Sequence, residues 1–263
     1  MTTVHSIPIL YHWEPNGNSG RPILCLKEKD LEFKSRYVDV LRFEQHGGEV
    51  PALNPKCEVP VLVHAGEAYT EASYIEQYLD EALPGPALMP KDSLGRWRVR
   101  SWQKHVDEEL APFVGILNAP ALRARLLQTH TPERLRAAVD RIPARQRRSV
   151  WTAAALDGYT AEQIQEAQRK IIAFVAGEME PALTRHAWLA GDAYSLADGA
   201  AFLFMNFLPR LMSDVVNART TTATIGWLQR MNDRPAVQAT LAFKRGDDPF
   251  ALAAPGPEPV RWG

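Results

Sequence analysis

Residues 54–79, NPKCEVPVLVHAGEAYTEASYIEQYL, carry the densest set of structural signals in the chain. Residues 61–63 form a short apolar, mostly β-branched run that predicts a strand, and residues 64–67 supply a turn into a second short strand. Apolar residues then recur at helical spacing from Ile75, with Thr70 at the expected N-cap position. The stretch therefore predicts a loop, two strands joined by a tight turn, and a helix.

A proline stands at the start of the first of these strands. Proline has no N–H to give to a sheet, so Pro60 belongs at an edge or a special bend. A cis Val59–Pro60 bond would turn the backbone of Val59 outward, where another peptide could pair with it. The helix that begins near Glu71 offers free N–H groups and the positive end of its dipole to a carboxylate. These features suit a small acidic peptide as ligand, and a plain hairpin followed by a helix is the alternative.

The composition narrows the class of protein. The 263 residues include 30 basic and 31 acidic side chains, with no basic stripe that predicts nucleic acid or a membrane as partner. Two cysteines, Cys25 and Cys57, make neither a disulfide framework nor a metal cluster. The sequence shows no signal peptide and no apolar run that we expect to span a bilayer, so we expect a cytoplasmic protein of one to two domains.

The first third of the chain alternates strand and helix patterns. Residues 7–13 predict a strand, 21–29 a helix, 31–40 a second strand and 42–53 a looser helix or loop. Together with residues 54–79 this gives the order βαβ, α, ββα, which indicates a thioredoxin-like domain. Because the crossover is right-handed, we expect the first two strands to be parallel.

Helical patterns dominate the rest of the chain. Proline and glycine between residues 84 and 93 indicate a linker, so we predict domains at 1–86 and 94–263. Pro112 predicts a kink within its helix, and we expect residues 246–263 to be an irregular tail. The predicted helices span 96–118, 132–140, 161–183, 195–208, 224–232 and 236–243.

A thioredoxin-like domain followed by an all-helical domain resembles the layout of the cytosolic glutathione S-transferases. Residues 54–60 resemble the loop and cis-proline motif of that superfamily, residues 70–79 its glutathione-binding helix, and residues 194–198 the N-cap motif of its buried sixth helix. The resemblance implies the α/β plus all-α glutathione S-transferase fold, glutathione as co-substrate, and a homodimer or a heterodimer with a related subunit.

A narrower resemblance is to the bacterial β-etherases that cleave β-aryl ethers of lignin-derived aromatics. It extends over most of the chain to about residue 235. It implies an enzyme in which the glutathione thiolate displaces an aryloxide. The stretches that carry it are residues 16–19 before Pro22, 43–46, Trp102 with 106–108, and Trp151 before 158–159.

Such a reaction requires a glutathione thiolate. A free thiol has a pKa of about 8.5, and hydrogen bonds to the sulfur or a positive helix end favour its ionised form. Asn18 and Ser19 lie between the first strand and first helix, where such donors belong, and are the predicted catalytic residues. Their alternative role is to cap the helix. The absence of cysteine at this point of the sequence argues against thiol–disulfide exchange as the main activity.

The resemblance also implies the remaining contacts. Val59 and Pro60 would meet the cysteinyl part of glutathione, and an aromatic substrate would lie between the domains. The predicted contacts to the γ-glutamyl end are Glu71, Ala72 and Ser73, and those to the glycyl carboxylate are Gln45 and His46. The predicted contacts to the aromatic substrate are Trp102, Phe113, Trp151 and Tyr159. No metal ligands are predicted.

Two residues depart from the superfamily pattern. Ala72 stands where a serine is usual and cannot donate a side-chain hydrogen bond, which is worth about 1.5–3 kcal/mol to a charged ligand. Glu58 places an acid where a neutral or basic residue is more usual. The alternatives to a β-etherase are therefore a general glutathione transferase or lyase, and a non-catalytic structural subunit of a heterodimer.

Overall fold

The computed structural model describes residues 6–246, and a four-stranded mixed sheet lies at the centre of the first third of the chain. The strand order is β2-β1-β3-β4. β1 runs parallel to β2 and antiparallel to β3, and β4 runs antiparallel to β3. The strands are β1 Ile9–His12, β2 Lys34–Tyr37, β3 Val61–His64 and β4 Glu67–Thr70.

Helices complete this part in the predicted order, which confirms the thioredoxin-like domain. They are α1 Gly20–Glu28, α2 Val50–Leu53 and α3 Ala72–Ala82. The predicted helix or loop at 42–53 is two 3₁₀ turns followed by the short α2. The loop before α1 packs so tightly that a Cβ on Gly20 would lie 1.8 Å from the carbonyl oxygen of Pro15, so only glycine fits there.

Thr70 is not the N-cap of α3, and that prediction is wrong. Thr70 ends β4, where it pairs with Val61, and the chain turns into the helix one residue later. Glu71 takes the N-cap position with a φ of 65°, a left-handed conformation that is uncommon for a residue with a side chain. The sharp turn brings the first N–H groups of α3 next to the end of the sheet.

The rest of the described chain is helical, as predicted. Two π-helical segments, Val106–Leu110 and Ala173–Met179, interrupt helices that the sequence predicts as regular, and a third, Thr152–Asp157, follows α7 in a region where no helix was predicted. Pro112 and Pro181 each follow such a segment, because the wider turn accommodates a residue that lacks an N–H. The helices are α4 Ser93–His105, α5 Ala111–Thr129, α6 Pro132–Asp140, α7 Arg145–Trp151, α8 Ala161–Ile172, α9 Glu180–Arg185, α10 Leu196–Met205, α11 Leu208–Leu211, α12 Thr222–Asn232 and α13 Pro235–Leu241.

The buried helix α10 joins the two parts of the fold. All its residues are buried, and Asp198 in its first turn accepts hydrogen bonds from the N–H groups of Leu189 and Ser195 and from Trp227 Nε1. Burial raises the pKa of Asp198 to about 6. α1 packs against α3, α10 and α13, so the helical part supports the helix that follows the predicted catalytic loop.

Among the described residues, one helical stretch is long and apolar enough to cross a membrane by length and composition alone. It is Ser93–Thr129, and 61% of its most apolar window is buried inside the fold, as expected of a core helix. The predicted boundary between the domains stays a prediction. The predicted irregular tail lies, from residue 247, outside the described residues.

Candidate active site

A cavity of about 830 Å³ lies between the sheet domain and the helices. Its walls come from the loop between β1 and α1, the loop before β3, the start of α3, and helices α4 and α7. Of the predicted site residues it brings together Asn18, Ser19, Gln45, His46, Val59, Glu71, Ala72, Ser73 and Trp151.

Ser19 presents a buried hydroxyl to this cavity. Its Oγ accepts a hydrogen bond of 3.1 Å from the backbone N–H of Trp13, which leaves the hydroxyl proton available to a ligand. Ser19 occupies the N-cap position of α1 without a side-chain capping bond, so capping does not occupy its oxygen. Asn18 is exposed in the cavity, and its Oδ1 accepts from Arg21 Nη1 at 3.4 Å. Both residues thus line the cavity, and their role toward a thiol stays a prediction.

The loop before β3 presents a peptide edge to the same cavity. The Val59–Pro60 bond is cis, Val59 lines the cavity, and Pro60 is buried behind it. Asn54 shapes the loop, because its side chain donates to the carbonyl of Glu58 at 3.0 Å and accepts from the N–H of Lys56 at 3.0 Å. The pairing of Val59 with a ligand stays a prediction.

The start of α3 forms a second wall. The carboxylate of Glu71 pairs with Lys56 Nζ at 2.7 Å, and Ala72 and Ser73 supply the first turn. The hydroxyl of Ser73 donates to Asp107 and accepts from Arg21 Nη2 at 2.8 Å. Its proton is therefore directed at Asp107 and does not replace the hydroxyl that Ala72 lacks. The backbone N–H groups of this turn and its dipole are what the helix offers an anion.

A buried arginine cluster, which the sequence reasoning missed, ties this wall to the helical part. Arg21 is completely buried and pairs with Glu76 at 2.8 Å and with Asp107 at 2.5 Å. Although burial disfavours its charge, Asp107 and Glu76 raise the pKa of Arg21. The signal in the sequence was an arginine among the apolar residues of α1. Asp107 is partly exposed and borders the cavity beside the first turn of α3.

Several polar groups at another side of the cavity have no hydrogen-bond partner within residues 6–246. They are Gln45 Oε1, both ring nitrogens of His46 and Trp13 Nε1, and all of them are buried. Burial, and then the charge of Arg147, lower the pKa of His46, so its ring is held neutral. Because buried polar groups are normally paired, this grouping is typical of a site that binds a polar ligand.

An ion pair across the cavity accounts for the unusual acid at Glu58. Arg147 on α7 pairs with Glu58 on the cis-proline loop at 2.5 Å, and both line the cavity. The pair offsets the negative charge that the loop would otherwise present to an anionic ligand. It also links α7 directly to the loop that holds Val59.

Of the four predicted aromatic contacts, Trp151 lines the cavity and the other three lie outside its lining. Trp102 packs edge-on against Phe174 at 6.0 Å, Phe113 is in the core, and Tyr159 is half-buried against the core. The sequence reasoning did not select the apolar side chains that line the cavity beside Trp151, which include Trp13, Val40 and Phe204. Cys57 also lines it but is buried, and burial and then Glu58 raise the pKa of its thiol.

Within the described residues no group of three or more His, Cys, Asp or Glu side chains could hold a metal ion.

The fold and this cavity define the class of protein. Family models match the N-terminal domain of glutathione S-transferases at residues 18–82 and the C-terminal domain at residues 140–235. The chain belongs to the glutathione S-transferase family of enzymes.

The relatives narrow the comparison further. The chain is 32% identical to Protein LigF of Sphingobium sp. over 245 residues, which covers 91% of this chain and 95% of that protein. The crystal structure of the β-etherase LigF superposes with a TM-score of 0.85 over 91% of this chain and all of that chain. Glutathione S-transferase F10 of Arabidopsis thaliana is 26% identical over 83% of this chain and 89% of its own length. Glutathione transferase F7 of Populus trichocarpa, 20% identical, superposes with a TM-score of 0.68 over 90% of this chain and 98% of its own.

Proposed function

We propose that the protein cleaves β-aryl ether bonds in lignin-derived aromatics, with the glutathione thiolate displacing an aryloxide. The observation that carries this proposal is the buried Ser19 hydroxyl, oriented by the Trp13 N–H toward a large cavity. The similarity to a β-etherase over nearly the whole chain supports the same reaction. General features of the family support glutathione as the thiol.

Glutathione would occupy the cavity with its γ-glutamyl end at α3. Its α-carboxylate would accept from the N–H groups of Ala72 and Ser73, at the positive end of the helix dipole. Its ammonium group would pair with Asp107, whose partly exposed carboxylate lies beside that turn through Ser73. Glu71, at the N-cap of α3, would be the remaining contact to the γ-glutamyl end of glutathione.

The other two parts of glutathione would meet the opposite walls. The cysteinyl backbone would pair with Val59 at the edge that Pro60 holds in place. The glycyl carboxylate would accept hydrogen bonds from the side-chain NH2 of Gln45 and from a ring N–H of His46, and both residues line the cavity. The thiol would then lie near Ser19 and Asn18, and the hydroxyl of Ser19 would donate a hydrogen bond to the thiolate.

The chemistry is a substitution at the carbon that bears the aryloxy group. The sulfur–carbon bond forms as the carbon–oxygen bond breaks, and the aryloxide leaves with the electron pair and takes a proton from water. A phenol has a pKa of about 10, so its anion is a fair leaving group. Trp151 is the predicted aromatic contact whose position supports holding the substrate ring. Catalysis would rest on placement and on stabilisation of the thiolate.

The test is direct. Purified protein is incubated with glutathione and each enantiomer of a β-aryloxy aromatic ketone, and the released phenol is measured. We expect phenol release that falls at least tenfold in Ser19→Ala, less in Asn18→Ala, and not at all in Ser149→Ala, an exposed serine control. No phenol from either enantiomer, with the protein alone or together with a related subunit, would overturn the proposal.

A second candidate is a structural subunit of a heterodimer. The observation that favours it is that Ser73 gives its proton to Asp107, while Ala72 has no hydroxyl. Calorimetric titration with glutathione separates the two functions. Micromolar binding by the isolated chain counts against the structural subunit. A general transferase or lyase would instead act on a panel of other electrophiles and release no phenol.

We also propose that the chain forms a dimer through α3 and α4, with a second copy or a related subunit. These neighbouring helices expose large apolar side chains, namely Tyr74, Leu94 and Trp97. Light scattering after gel filtration should give the mass of a dimer for the pure chain or for its mixture with a related subunit. Trp97→Glu should shift that mass toward the monomer.

A further inference from the structure

A buried glutamate, Glu14, lies in the predicted catalytic loop between β1 and α1. Glu14 directly follows Trp13 and is 1% exposed. A carboxylate so deeply buried requires donors, because its desolvation is costly. The hydroxyl of Tyr37 donates to it at 2.5 Å, the N–H of Arg245 at 3.1 Å and the N–H of Gly246 at 3.2 Å. Two of these three donors come from the chain beyond α13.

The segment after α13, residues 243–246, is held by further contacts against the edge strand β2 and its neighbour β1. The ring of Phe243 stacks on Phe33 at 5.5 Å and meets His12 edge-on at 5.8 Å. The guanidinium of Arg245 lies 4.1 Å from the centre of the Tyr37 ring. This segment, which we call the strap, therefore packs over β1 and β2. The Glu14 carboxylate accepts hydrogen bonds from the backbone N–H groups of the strap.

The loop between β1 and α1 thus has two faces. On one face Trp13 and Glu14 line the active-site cavity with Ser19. On the other face the same two residues line a second cavity of about 350 Å³ with Tyr37, Arg245 and Gly246. The N–H of Trp13 is the group that orients the Ser19 oxygen. One peptide unit separates Glu14 from Trp13, the residue that carries that N–H.

We propose that Glu14 is a positioning residue, which anchors the strap at residues 243–246 and thereby holds the Trp13 N–H in register with the Ser19 hydroxyl. The inference rests on the proposed function in so far as Ser19 stabilises the thiolate. The strap itself touches neither ligand. Its effect on the reaction passes through the position of the loop.

Oε1 of Glu14 accepts from Tyr37 and from both amides, and Oε2 also accepts from the Arg245 N–H. Glu14→Gln keeps the shape of the side chain and one acceptor oxygen, but it removes the negative charge that strengthens these bonds and puts an NH2 donor where Oε2 faces the Arg245 N–H. We expect the loop to relax and the hydrogen bond from Ser19 to the sulfur to weaken. The pKa of the bound thiol then rises toward that of free glutathione.

The first test measures that thiol. The ultraviolet absorbance of bound glutathione thiolate is titrated against pH in wild type, Glu14→Gln and Glu44→Gln. Glu44 lines the same second cavity but is exposed, so it is the matched control. We expect Glu14→Gln to raise the pKa of the bound thiol by about one unit and to lower kcat about tenfold near neutral pH, with KM for glutathione within about twofold. If Glu14→Gln lowers the thermal stability but leaves the pKa of the bound thiol unchanged, Glu14 has only a structural role and the proposal is wrong.

The second test does not depend on activity. Hydrogen exchange of the peptide that contains residues 13–19 is compared between a chain ending at Lys244 and one ending at Phe250. The shorter chain lacks both amides that bind Glu14, and the longer one keeps them. We expect at least tenfold faster exchange of the Trp13 amide in the shorter chain and in Glu14→Gln. Equal exchange overturns the coupling. If exchange is faster in the shorter chain but the wild-type protein binds no glutathione, the coupling stands and the proposed function is overturned instead.

Discussion

Two arginine–carboxylate pairs join the sheet domain to the helical part on different sides of the cavity. Arg21 on α1 pairs with Glu76, both of them buried, and with Asp107, which is 36% exposed. Arg147 on α7 pairs with Glu58, and their side chains are 18% and 33% exposed. Both pairs place a charge from one part of the fold against the other. The two pairs differ in the solvent exposure of their side chains and in the number of hydrogen-bond partners around each arginine.

That difference decides how each pair acts. A buried charge must keep every partner, since removing one leaves another desolvated and unpaired. The Arg21 cluster includes Ser73, Gln103 and Asn18, so it fixes the wall formed by α3 as one unit. In the Arg147–Glu58 pair the Glu58 side chain is 33% exposed, whereas Arg147 Nε is buried and burial lowers the pKa of Arg147. Because the acid of this pair is partly solvated, we expect the pair to contribute less to stability than the Arg21 cluster.

The largest expected effect breaks the buried cluster. Arg21→Ala should lower the free energy of unfolding by about 3–5 kcal/mol, because it strands Glu76 in the core. The double variant Arg21→Met with Glu76→Met should recover part of that loss, since it removes both charges and keeps the volume. Urea unfolding measures both variants. A loss below about 1 kcal/mol in Arg21→Ala would contradict the assigned role of burial.

The next effect concerns the member of the cluster that borders the cavity. Asp107→Asn keeps the shape of the side chain but removes the charge proposed to pair with the ammonium of glutathione. We expect its Kd for glutathione to rise about tenfold, by calorimetry. Glu108→Gln is the control, because Glu108 also lines the cavity but pairs with Lys104 on the same helix. If both variants weaken glutathione binding equally, the effect comes from the overall negative charge around the cavity and not from a specific pair with Asp107.

A smaller effect is expected at the exposed pair. Glu58→Gln should lower the free energy of unfolding by about 1 kcal/mol, since water screens the partly exposed Glu58 carboxylate and glutamine keeps an acceptor oxygen for the buried Arg147 Nε. The urea midpoint of this variant should also be less sensitive to salt than that of wild type. A loss as large as that of Arg21→Ala would show that the two pairs do not differ in the way their exposure indicates.

The sequence predicts the sheet domain well because its signals are local. The apolar run before the 64–67 turn, the proline before it and the helical spacing from Ile75 each reappear in β3, the cis bond and α3. The predicted N-cap at Thr70 is wrong because Thr70 pairs with Val61 and so belongs to β4. The π segments were not predicted, since hydrophobic spacing does not distinguish a wide turn from a regular one.

The site was predictable where a motif carries it and not where contacts are distant. Asn18, Ser19 and Ser73 follow from their positions beside a strand or a helix start. Arg21 meets Glu76 and Asp107 across 55 and 86 residues of sequence, and Glu14 meets Arg245 across 231. No local pattern pairs such residues. Trp102 and Phe113 resembled pocket residues because an aromatic side chain on a helix has the same spacing in a core.

The smallest expected effect lies at the polar groups on the side of Gln45. Burial and Arg147 hold the pKa of His46 below its usual 6.5, and a bound glycyl carboxylate would raise it. Binding then takes up a proton, so affinity should rise about threefold as the pH falls from about 7.5 to 5.5. Calorimetry with S-methylglutathione isolates this effect, because that ligand has no thiol to ionise. His46→Gln should remove the dependence, whereas His130→Gln, which loses a ring that packs on the same Phe43, should keep it. A pH dependence that survives in His46→Gln would assign the proton to another group and leave the glycyl carboxylate to Gln45.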